Sequence, residues 1–138
     1  MTAALVLGTS GEGGAFAPYT DGQDVTLVEG AQGGFHVWMR YSFDGAPRAE
    51  AHLERTAHRV IDDALVLRST TEVNMDRLSG PLPMFMCPAP VGLSVIDQPI
   101  EFELHFTDEA GDLADQRITL VPHCPVENQA FCLRICTG

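Results

Sequence analysis

Lysine does not occur in this chain of 138 residues; all eight basic residues are arginine. Its absence removes Schiff-base chemistry and the lysine of a phosphate-binding loop. Positive charge is scarce altogether, with 8 basic residues against 19 acidic ones and a net charge of −11. Nucleic-acid affinity comes from neutralising phosphates, and an anionic membrane repels an acidic chain, so neither is an expected partner. No apolar run approaches the ~18 residues of a membrane span, so no membrane insertion of this chain is expected. The opening MTAALVLG has no basic stretch, and its apolar run is too short for a signal peptide. The expectation is a soluble chain, either cytosolic or one whose targeting segment has been removed. No C-x-x-C occurs among the cysteines, which argues against a zinc ribbon or a thioredoxin-like motif.

The residues that are present alternate. In IEFELHFT, Ile100, Phe102, Leu104 and Phe106 share one face, and Glu101, Glu103 and His105 share the other. Period two is the mark of a half-buried strand. The turn cluster DEAGD and the segment QRITLVP follow, with Ile118 and Leu120 facing inward, and together these read as a β-hairpin. Further strands are expected at 3–8, 24–29, 35–43, roughly 49–59 and 64–73. A last one, AFCLRIC, would bury Phe131, Leu133 and Ile135. PRAEAHLERTAHRV has helix-forming residues but also alternates, and a strand there keeps the register. Short strands with turn signals every 8–12 residues predict an all-β fold, an antiparallel Ig-like β-sandwich of about 7–9 strands in a single domain, 1–138.

The stretch VEGAQGGFHVWMRYSF sets three glycines before a strand. A phosphate cradle would need a helix N-terminus or a lysine after the glycines, and neither follows. A tight turn between antiparallel strands explains them, because glycine takes positive φ without steric cost. On the strand, Phe35, Val37, Met39, Tyr41 and Phe43 point to the core, and His36, Trp38, Arg40 and Ser42 point away. Binding residues sit on loops held by a rigid scaffold, so Gln32, His36 and Trp38 are the candidate binding residues.

A soft copper site would combine histidine and methionine. His36 with Met84 and Met86 is the candidate set, provided those segments meet in space. Calcium would use the acidic loops, with Asp21 and Asp24 in one and Asp108, Glu109, Asp112 and Asp115 in the other. Zinc through His123 and Cys124 is a further alternative. The five histidines are scattered, the serines lack a G-x-S-x-G setting, and no catalytic residue is assigned.

The cysteines are 87, 124, 132 and 136. On a strand, Cys132 and Cys136 would lie about 13 Å apart at ~3.3 Å per residue. A disulfide spans about 4.4–6.8 Å, so these two should not pair with each other. Two pairings remain: 124–132 with 87–136, or 124–136 with 87–132. The first is preferred because CPVENQAFC closes a short loop. An even count in a small β domain suits an oxidising compartment.

The block F.PYTDGQDVTLVEGAQGGFHVWMRY, with LVLGT before it, spans about residues 4 to 41. It resembles uncharacterised exported β-sandwich domains in envelope lipoproteins of myxobacteria-like bacteria, where a DG..V.LV.G.QGG.HV pattern recurs. The resemblance implies export, an Ig-like sandwich and a periplasmic, outer-membrane-surface or extracellular location, and it carries no activity with it. The chain departs from the group in lacking a signal peptide and a lipobox cysteine. Two functions follow as expectations. The first is a non-enzymatic secreted or cell-envelope module that binds a protein, a glycan or a second copy of itself. The second is a periplasmic metal binder using copper or calcium.

Overall fold

The alternating sequence folds as its period requires. A computed structural model describes residues 4–31, 33–44, 50–74, 77–88 and 93–137. Two five-stranded sheets pack face to face as an all-β sandwich. The first contains β1 (Ala4–Ser10), β2 (Phe16–Pro18), β4 (Val28–Glu29), β5 (Phe35–Asp44) and β8 (Leu82–Cys87). The second has the order β3-β10-β9-β6-β7, built from β3 (Gln23–Thr26), β6 (Ala51–Arg59), β7 (Leu65–Val73), β9 (Ile100–Asp108) and β10 (Gly111–His123). The segment 51–59 is a strand, as its alternation predicts.

The core lies between the sheets. Phe35, Val37, Met39, Tyr41 and Phe43 are all buried, as are Ile100, Phe102, Leu104 and Phe106. Tyr41, Phe43 and Phe106 meet edge to face across the sheets, with ring centroids 5.0–5.3 Å apart. Such tilted pairs add to the area each ring removes from water.

Four features differ from the sequence-based expectation. Among the described residues there are ten strands, because the proline-flanked segments 16–18 and 82–87 also pair. Pairing is not wholly antiparallel, since β3 runs parallel to β10. The expected strand 24–29 is broken at Leu27, which is 1% exposed and carries the chain from the second sheet to the first.

The fourth difference is the C-terminus. AFCLRIC is not a strand but part of α1 (Gln129–Cys136). The residues it buries are Cys132 and Cys136, whereas Phe131 and Ile135 are half-buried and Leu133 is exposed. A four-residue spacing places both cysteines on one helix face, with sulfurs 3.9 Å apart. They still bond elsewhere: Cys124–Cys132 and Cys87–Cys136 are the disulfides, the pairing preferred from loop length. Strand geometry was the wrong reason for keeping 132 and 136 apart.

Candidate functional site on the outer face of the first sheet

The glycine run positions the site. Gly30 and Gly34 close a turn between β4 and β5 through a 2.8 Å backbone hydrogen bond, and Gly33 takes a φ of +83°. The turn delivers His36 to a position flanked by Val28 on β4 and Phe85 on β8. Period two then sets Trp38, Arg40 and Ser42 along the same outer face.

His36 is only 6% exposed. Its ring meets the Trp38 indole edge to face at 4.3 Å. Its Nε2 is buried and has no hydrogen-bond partner. Burial lowers its pKa below the usual histidine value, because an imidazolium loses hydration there. Trp38 is half-exposed, and its carbonyl accepts a 2.7 Å hydrogen bond from the Tyr19 hydroxyl. Val28 and Phe85 flank His36, Val6 and Leu78 flank Ser42 farther along β5, and the four show between 38% and 46% of their surface to solvent.

Arg40 is the cation of this face, and it is 9% exposed. Uncharged oxygens hold it: Nε donates to the Ser79 carbonyl at 2.9 Å, and Nη1 donates to the Gly14 carbonyl and the Ser10 hydroxyl. The Phe16 ring lies 6.0 Å from the guanidinium carbon. Among the strand positions of this face the nearest acidic residue is Asp44, at the far end of β5.

The outer face of the second sheet is different in kind. It carries Glu54, Glu101, Glu103 and His105, with Arg68 and Arg117 among them. Arg117 pairs with Glu103 at 3.4 Å, Arg68 with Glu54 at 3.3 Å and His105 with Asp112 at 2.9 Å. Burial and the adjoining Asp115 carboxyl raise the Glu103 pKa. This face reads as a solvated surface stitched by ion pairs.

The candidate copper ligands do not converge. Val37 pairs with Met84, which places the methionine on the core side of the sheet, and Met84 and Met86 are 0% and 1% exposed. His36 lies on the opposite side. A register irregularity between Phe35 and His36 accommodates Met86 without turning it outward. The acidic loops are also engaged: Asp21 accepts from the Thr119 amide, Asp24 bonds His123, and Asp108 accepts from the Ala110 amide. Cys124, the zinc alternative, is in a disulfide. Among the described residues no three His, Cys, Asp or Glu side chains are grouped to hold a metal ion. Of the candidate binding residues His36 and Trp38 are in contact, and Gln32 lies outside the described residues.

Sequence reasoning placed Arg40 on this face but missed its burial, and it missed Phe85 altogether. Phe85 sits in a proline-flanked segment outside the strands expected from alternation, and its place opposite His36 depends on β8 pairing with β5. The chain matches no protein-family model, no curated protein and no solved structure.

Proposed function

We propose that this chain is a non-enzymatic binding module of the cell envelope or extracellular space, and that a protein partner docks on the outer face of the first sheet. The observation that carries this reading is the contrast between the two outer faces. One is charged and internally paired; the other gathers Trp38, Phe85, Val28 and Leu78 around a buried histidine and a buried arginine. Protein interfaces have such a centre, rich in aromatic residues and arginine and poor in carboxylates. Tryptophan and arginine are also the residues that most often dominate binding energy.

Two disulfides are compatible with an exported protein, and export is part of the proposal. An Ig-like topology is part of it too. The order β10-β9-β6-β7 supports it, since it matches the G-F-C-C′ order of a variable-type domain. Membership of the exported lipoprotein group rests on the sequence block alone.

The test is affinity capture from an envelope extract with the wild type and with Trp38→Ala combined with Phe85→Ala. Both side chains are half-exposed, so the double variant should keep the wild-type circular dichroism. The reading predicts that a captured protein is lost with the double variant and kept with Glu54→Ala on the charged face. Equal capture by all three contradicts it.

A further inference from the structure

β7 is the terminal strand of the second sheet and pairs with β6 on one side only. On its other side no backbone hydrogen bond from residues 65–73 is found among the described residues. Free edges are usually blunted by proline, a bulge, charged side chains, a covering element or shortness, and here only Arg68 and Glu72 supply charge. β7 is nine residues long and contains no proline or glycine. Its one irregularity against β6 lies at its start, opposite Ala57 and His58, leaving Leu67–Val73 in regular register.

The sequence of this edge, LRSTTEV from 67 to 73, is complementary to itself. Around a two-fold axis at Thr70, an antiparallel second copy sets Arg68 opposite Glu72 and Glu72 opposite Arg68. Leu67 then meets Val73, Ser69 meets Thr71, and Thr70 meets its own copy. Opposite charges, threonine pairs and apolar pairs directly across strands are each favourable. Moving the axis to residue 68 sets Arg68 against Arg68, and moving it to residue 72 sets Glu72 against Glu72, so charge selects the register. Arg68 and Glu72 bond Glu54 and His52 on β6, and 65% of Arg68 and 79% of Glu72 stay exposed to meet a second copy.

We infer that two copies of this chain associate edge to edge through β7, joining their second sheets into one continuous sheet across a two-fold axis. The β7 edge belongs to the second sheet and Trp38 to the outer face of the first, with β8, the strand of Phe85, adjoining β7. Edge pairing covers little area, so the dimer is in reversible, concentration-dependent equilibrium with monomer.

Sedimentation velocity over a concentration series tests this with charge-swapped variants. Arg68→Glu and Glu72→Arg each set like charges against each other twice per dimer, and each should weaken dimerisation by about tenfold. The double variant restores opposite charges at both positions and should recover the wild-type equilibrium. A mixture of the two single variants should form a heterodimer. Two results overturn the proposal: a wild type that stays monomeric throughout the series, or a dimer that ignores all the swaps. The second would place self-association on another surface.

Discussion

The His36 imidazole meets the Trp38 indole edge to face at 4.3 Å, with the histidine buried and the tryptophan half in solvent. The contact joins a titratable group to the chain's single tryptophan at the centre of the proposed docking face. Side-chain titration there is therefore readable by fluorescence.

The fold favours neutral His36, whose pKa lies below its ordinary value of 6.5 because of burial. Its contribution to stability is complete above pH 6.5 and falls as pH drops through the lowered folded value. Because an imidazolium quenches a neighbouring indole, Trp38 emission should fall on acidification with a midpoint below 6.5. His36→Phe should remove the transition. A midpoint at or above 6.5 in the wild type contradicts the burial argument.

His123 should behave in the opposite sense. Its two ring nitrogens lie 2.7 Å from Asp24 and 2.6 Å from Asp97, and only the imidazolium can donate to both. The hydrogen bonds to Asp24 and Asp97 raise its pKa above 6.5. The contact thus stabilises fully below pH 6.5 and is lost as pH rises through the folded pKa. In urea titrations the gap between wild type and His123→Gln should narrow across that window. A gap that widens with rising pH refutes the clasp.

The two disulfides close loops of very different length, with sequence separations of 49 and 8. Chain entropy predicts a loss of about 4 kcal/mol when Cys87 and Cys136 are both replaced by Ser, and about 2.5 kcal/mol for Cys124 and Cys132. Guanidinium unfolding of the two double variants measures this. A larger loss for the shorter loop would mean that packing, not chain entropy, sets the order.

Gly34 is required for space, not for φ. A Cβ there would stand 2.6 Å from the Cys87 carbonyl oxygen and 2.8 Å from the Phe85 ring. Gly34→Ala should cost about 1–3 kcal/mol and displace Phe85, in the manner of overpacking. Thermal unfolding reads the cost, and weakened partner capture reads the displacement. An alanine variant with wild-type stability and capture would show that β8 gives way freely.

Much of this architecture is written in alternation. Phe35 to Phe43 and Ile100 to Phe106 declare both their strand and their buried face, because only one two-residue register hides the aromatic side chains. The outward placement of His36 and Trp38 follows from the same count. The C-terminal segment misleads because Phe131, Leu133 and Ile135 mimic that alternation. There the disulfide partners decide which face is buried, and the four-residue spacing of Cys132 and Cys136 suits one face of a helix. Phe85 and the burial of Arg40 depend on pairings 26 or more residues apart in the chain, such as Arg40 with Gly14 and Ser79, which no local pattern encodes.

The most direct test of the docking face is site-specific photo-crosslinking in the cells that make the protein. A benzophenone amino acid is placed at position 38 or 85, and at position 54 on the charged face as the comparison. The account predicts a discrete protein adduct from positions 38 and 85 and none from position 54. Adducts at position 54 alone, or none from positions 38 and 85, would contradict it.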